Sequence, residues 1–142
     1  MQTKTRILVA AAPGSVEPIV EAMDDRFELD FFSAMAQAVS YSYANIDVII
    51  CDMYFDESRM YNLLRFAKMD FVARNTPFIC INTTEGSLSK TMGQGITIAC
   101  KALGAVGFVD LCGWKRELGK DQAHLKLQML IDQFAKDKGC SL

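Results

Sequence analysis

The chain has 142 residues, of which 51% are hydrophobic and 23% charged, and its formal net charge is −2. This composition excludes general disorder and fits one globular domain, residues 1–142, long enough to bury a core without disulfides or a structural metal. Acids and bases are interspersed, so the chain offers neither the basic patch that nucleic acid requires nor one for an anionic membrane.

Arg6-Ile7-Leu8-Val9-Ala10-Ala11-Ala12 reads as a strand that stops at the turn signal Pro13-Gly14. Ser15 can cap a helix whose apolar residues Val16, Ile19, Val20 and Met23 recur at helical spacing, and Pro18 falls in the tolerant first turn. Phe27 to Phe32 is a second strand. Met35, Ala38 and Val39 mark one side of a second helix, which Asn45 closes. The run Ile46-Asp47-Val48-Ile49-Ile50-Cys51-Asp52 then reads as a strand buried on both faces, delivering the Asp52 carboxylate to the rim where the strand leaves the core.

After the polar loop Asp56-Glu57-Ser58, a helix carries Met60, Leu63, Leu64 and Ala67 on one face. Thr76-Pro77 leads into a fourth strand, Phe78-Ile79-Cys80-Ile81. A polar segment from Asn82 to Thr91 precedes a helix bearing Ile96, Ala99, Cys100 and Leu103, with Gly93 and Gly95 near its start and Gly104 as its C-terminal glycine. Val106-Gly107-Phe108-Val109 is the fifth strand. Beyond Trp114 a last helix presents Ala123, Leu127, Leu130, Ile131 and Phe134, and the tail frays from Lys136.

This alternation of strand and helix specifies a parallel sheet, because each return to a parallel neighbour needs a crossover. The expected fold is a three-layer αβα domain with the flavodoxin-like strand order 2-1-3-4-5, whose chemistry belongs at the carboxyl ends of the strands. No apolar run approaches the roughly 18 residues of a membrane span, and the N-terminus passes directly into strand-like sequence, so a cytoplasmic location is expected. The five cysteines include no C-x-x-C pair; Cys51, Cys80 and Cys100 read as small core residues and Cys140 as an exposed thiol.

These segments together resemble a receiver domain of bacterial two-component signalling, over essentially the whole chain. The resemblance rests on Arg6–Val9, on Ile46–Asp52, on Thr76-Pro77-Phe78-Ile79-Cys80-Ile81, and on Leu103-Gly104-Ala105-Val106-Gly107-Phe108-Val109. It implies that Asp52 stands at the phosphoacceptor position and Phe108 at that of the aromatic residue that reports phosphorylation. It also implies a pocket that departs from the family. The two acids that hold Mg²⁺ in the family correspond to Ala11 and Ala12, the Ser/Thr at the fourth strand end to Asn82, the lysine ending the fifth strand to Leu111, and the proline after it to Cys112.

Mg²⁺ demands near-octahedral oxygen ligation, which methyl groups cannot supply. Each lost electrostatic donor in such a site costs about 10²–10³-fold in rate. A degenerate receiver, or pseudo-receiver, is therefore expected: no cofactor, no enzymatic activity, and a role in binding protein. The partner is a histidine kinase, a downstream signalling protein or a second copy, docked on the fourth helix, fifth strand and fifth helix, with Phe108 and Trp114 as contributors. Lys90, Lys115 and Arg116, in loops leaving the same edge, are the cations able to substitute. The alternatives are an atypical receiver still phosphorylated on Asp52, and a small-molecule or nucleotide-binding flavodoxin-like domain with its ligand over Ala11–Gly14, Asp52 and Asn82–Thr91.

Other motifs weigh less. Asp52 also fits a carboxylate kept at a strand end to bond loop N–H groups. Gly86-Ser87-Leu88-Ser89-Lys90-Thr91 lacks the glycines of a phosphate-binding loop, with Thr84 and Ser89 in their places. His124, the one histidine, reads as the edge of a buried helix face.

Overall fold

The computed structural model describes residues 4–85 and 88–140, and for 137–140 the backbone only. The phosphate-loop reading of Gly86–Thr91 therefore lies partly, and the exposed Cys140 thiol wholly, outside the described residues. Strands β1 (Arg6–Ala10), β2 (Glu28–Phe32), β3 (Val48–Asp52), β4 (Phe78–Asn82) and β5 (Gly107–Asp110) form one parallel sheet. Their order is β2-β1-β3-β4-β5, as expected. Helices α1 (Val16–Met23), α2 (Met35–Ser40), α3 (Met60–Met69), α4 (Lys90–Ala102), α5 (Leu111–Leu118) and α6 (Lys120–Cys140) follow the strands.

Side chains of a strand alternate between faces, and β1 shows how that splits the core. Ile7 and Val9 pack with Ile19 and Met23 of α1 and Leu127 and Ile131 of α6. Leu8 and Ala10 face the opposite way, into a cluster with Leu63 and Leu64 of α3 and Cys100 of α4. The central strands are therefore covered on both sides, which is why β3 is apolar until Asp52 and buried throughout. Cys51, Cys80 and Cys100 are buried in the second cluster as free thiols.

Local chemistry moves several expected boundaries. The second helix ends at Ser40 rather than Asn45: Tyr41 is already extended, and the Tyr43 hydroxyl donates back to the Ala38 carbonyl at 2.9 Å. The fourth helix begins at Lys90, since the Ser89 hydroxyl oxygen accepts the Met92 N–H at 3.1 Å, so Gly93 and Gly95 lie inside it. Gly104 takes its expected place past the helix end with φ of +104°, and the Ala105 N–H returns to the Cys100 carbonyl at 2.9 Å.

Two further departures bear on the site. The polar loop after β3 is a left-handed turn in which Asp56, Glu57 and Ser58 all have positive φ. It is held by the Asp56 carboxylate, which accepts the Met35 N–H at 2.9 Å. After β5 the chain enters α5 at Leu111, well before Trp114, and Gly119 with φ of 83° separates that helix from α6.

Candidate functional site

Parallel pairing brings the carboxyl ends of the strands to one rim. Ala10 pairs with Cys51, Asp52 with Ile81, and Asn82 with Asp110, so the residues that follow β1 stand beside the ends of β3, β4 and β5. Asp52 lies at the centre of this rim and is 0% exposed. Its Oδ2 accepts the Ala12 N–H at 3.4 Å, a long bond, and its Oδ1 is buried without a hydrogen-bond partner of good geometry.

Burial raises the Asp52 pKa above the ordinary aspartate value of 3.8. The Ser15 hydroxyl and the N–H groups of Ala12, Tyr54 and Met53 pull the other way, without reversing the shift. Ala11 is buried and packs into the α1-side cluster, so its methyl group fills the core where the resemblance implies an acid.

Asn82 is 1% exposed and fully engaged. Its amide donates to Asp110 Oδ1 at 3.0 Å and to the Thr84 carbonyl at 3.3 Å, and its oxygen accepts the Thr84 N–H at 3.2 Å. Asp110 Oδ1 also accepts the Gly113 N–H at 3.2 Å, which starts α5. Leu111 thus does not end the fifth strand as expected. The strand ends at Asp110, and Leu111 opens a helix, buried in the cluster with Val109, Ala123 and Leu127. Sequence reading missed Asp110 as a rim residue. The signal was present as Asp-x-x-Gly ahead of an amphipathic stretch, the pattern of a capped helix start.

Phe108 is half-buried on β5, opposite Cys80, and packs on the α3/α4-side cluster. The three cations expected at this edge are all in helices rather than loops. Lys90 opens α4 and lines a pocket with Asp110, Phe108 and Trp114. The Lys120 ion pair lowers the Glu21 pKa and burial lowers that of His124, with the Lys115 charge adding to both, and Arg116 Nη1 lies 3.7 Å from Cys112 Sγ. None of the three is among the groups that set the Asp52 titration. His124 sits at the buried edge of α6, with Nε2 unpartnered among the described residues.

Among the described residues no group of three or more His, Cys, Asp or Glu side chains is placed to hold a metal ion, and no helix is long and apolar enough to cross a membrane. Two cavities lie along the β5 edge, and Asp52 lines neither of them.

This sheet order with helices on both faces is the flavodoxin-like fold of response-regulator receiver domains. A receiver domain protein from Clostridium thermocellum superposes with a TM-score of 0.70 at 16% identity, over 97% of this chain and 99% of its own. The receiver domain of a sensor histidine kinase from Pseudomonas aeruginosa, with a magnesium ion coordinated in its active-site cleft, gives 0.65 at 19% identity over 94% of this chain and 99% of its own. The phosphorylated cyanobacterial phytochrome response regulator RcpA gives 0.64 at 14% identity, over 90% of this chain and 91% of its own. No protein-family model matches the chain, and no curated protein matches it by sequence.

Proposed function

We propose that this chain is a receiver-fold module of two-component signalling that does not undergo Mg²⁺-dependent phosphorylation and acts by docking a protein partner. The observation that carries this reading is the surroundings of Asp52. Asp52 is a fully buried carboxylate that accepts the Ala12 N–H at 3.4 Å, Ala11 is packed into the core beside it, and among the described residues no group of three or more His, Cys, Asp or Glu side chains is placed to hold Mg²⁺. The residues present do not fit the ion.

The rest of the rim supports the same reading. Asp110 brings a second carboxylate to it, which opposes rather than stabilises charge arriving on phosphoryl oxygens. Burial already disfavours the ionised form of Asp52, the form that acts as a nucleophile. A docking role falls to the face of α4, β5 and the helices after it, where Phe108 and Trp114 border the cavities.

Incubation with acetyl phosphate and Mg²⁺ followed by intact-mass measurement tests the proposal. No adduct is expected. A stoichiometric phosphoryl adduct that Asp52→Asn abolishes would overturn it.

A further inference from the structure

The chain between α3 and β4 lies at the amino ends of the strands, the opposite end of the sheet from Asp52. It carries Met69, Phe71 and Val72, which are 85%, 79% and 47% exposed. Among the described residues no other stretch exposes three large apolar side chains within four positions, and such a concentration at the surface marks a contact site.

The segment is tied down. Asp70 Oδ2 accepts the N–H groups of Val72 and Ala73 at 3.0 and 2.8 Å, and the Lys68 ammonium donates to the Arg74 and Thr76 carbonyls, each at 3.3 Å. Ala73 and Thr76 are buried, so the backbone is anchored on both sides of the turn while Met69 and Phe71 stay outside. The segment lines neither of the cavities along β5, which leaves its apolar tip convex.

The same bonds decide which charges are left over. Asp70 and Lys68 serve the backbone of the turn, and Asp47, just before β3, accepts the Arg6 N–H at 2.8 Å. Arg65 and Arg74 are exposed, and among the described residues neither pairs with a carboxylate. Arg65 lies one turn before Met69 on the same face of α3, and the Arg74 guanidinium sits over the Phe71 ring, 5.0 Å from its centroid. Acids and bases alternate along the sequence, but the fold leaves this corner with an apolar tip and two uncommitted cations beside it.

We infer that this tip docks on an anionic phospholipid surface, with Met69, Phe71 and Val72 entering the boundary of headgroups and acyl chains and Arg65 and Arg74 meeting the headgroup anions. Three side chains present on the order of 300 Å² of apolar surface. A specific protein interface needs roughly 800 Å² per partner and a surface shaped to match, whereas a fluid bilayer closes around a convex tip without either. A second copy fits poorly, because a two-fold contact on this tip sets Arg74 against Arg74. The attachment is weak and reversible, as one small anchor with a few cations is. It leaves the Asp52 rim and the β5 face free, and it does not depend on the phosphorylation state of Asp52.

The full chain is sedimented with phosphatidylcholine vesicles, with and without phosphatidylserine. It should partition onto the phosphatidylserine vesicles at low salt and leave them at high salt. Phe71→Ser combined with Met69→Ser should lower the partition coefficient ~10-fold or more, and Arg65→Gln and Arg74→Gln about 5-fold each. All four positions are exposed, and each variant is checked for an unchanged circular dichroism spectrum. Phe71→Trp keeps the tip apolar and reads its depth: brominated phosphatidylserine should quench the new tryptophan, while Trp114, which borders the β5 cavities, should keep its emission in the parent chain.

No partition onto either vesicle, equal partition onto both, indifference to the serine variants, or quenching of Trp114 in place of residue 71 would each overturn the inference. So would binding of soluble polyglutamate with no vesicle binding, or sedimentation of the protein alone as a dimer that Phe71→Ser dissolves. A phosphoryl adduct on Asp52 overturns the function proposed above and leaves the vesicle result unchanged, so the two failures are told apart.

Discussion

Gly113→Ala sets two physical effects against each other at the rim. Alanine inside a helix is favoured over glycine by about 1 kcal/mol, and by propensity alone the substitution in α5 should stabilise. The structure reverses the sign. A Cβ at residue 113 would stand 2.5 Å from Asp110 Oδ2 and 3.0 Å from its Cγ. The carboxylate cannot swing away freely, because Oδ1 holds both the Gly113 N–H and the Asn82 amide. Displacing it loses a helix cap, about 1 kcal/mol, and leaves the buried Asn82 amide short of an acceptor, about 1–3 kcal/mol. Offset by the propensity gain, the net expectation is a destabilisation of about 1–3 kcal/mol. Urea unfolding followed by circular dichroism measures it, and the same substitution in an Asp110→Ala background should instead stabilise by about 1 kcal/mol. Stabilisation in the parent chain, or an undiminished penalty without the Asp110 carboxylate, would refute the reasoning.

Titration should show two opposed pH effects on the unfolding midpoint. Burial, and then the Lys115 charge, lower the His124 pKa below its usual 6.5, so the unfolded chain binds the proton more readily and stability should fall as pH drops below 6.5; His124→Gln should remove that fall. Asp52 has the opposite sign, since its raised pKa makes the folded chain the better proton binder: stability should decline as pH rises from 3.8 through the folded pKa, and Asp52→Asn should flatten that decline. Glu57→Gly, at an exposed residue with φ of 56° and ψ of 46°, should raise stability by about 0.5–1 kcal/mol in urea unfolding, the relief of left-handed strain exceeding the added freedom of the unfolded chain. Phe55→Ala removes a side chain that is 0% exposed and packed 5.8 Å from the Phe32 ring, and should cost about 3–5 kcal/mol by the same measurement.

The sheet was legible because its strands announce themselves: β3 and β4 are continuous apolar runs, which only burial on both faces permits. What a single sequence does not carry is which short polar side chain will seize a nearby backbone N–H. Ser89 and Asp110 each did so, moving α4 and α5 earlier than apolar periodicity alone places them. Tyr41 is the reverse case. Its hydroxyl donates to Asp30 at 2.5 Å and its ring packs on Phe32, tertiary contacts that end α2 with no breaker residue at that point. At the rim, Asp52 was found from its strand end, whereas Asp110 was passed over because the fifth strand was read as Val106–Val109 and the resemblance carried its end to Leu111.

The end of β5 at Asp110 changes what a leucine at 111 means. Counted from Phe108, the lysine position falls on Leu111, and replacing it with lysine would seem the natural first step in rebuilding a phosphoryl site. But Leu111 is 0% exposed among Val109, Ala123 and Leu127, contributing about 1.5–3 kcal/mol of apolar burial. A lysine there would bury an unpaired ammonium in the α1-side core, far costlier than the leucine it displaced. Ala11 is similarly placed, packed into the same cluster. Placing an acid at residue 11 and a lysine at 111 is therefore expected to unfold the chain before it builds a site. Leu111 and Ala11, which the resemblance sets against a lysine and an acid, both belong to the hydrophobic core, so placing charge at either requires repacking against α1 and α6 as well as new ligands.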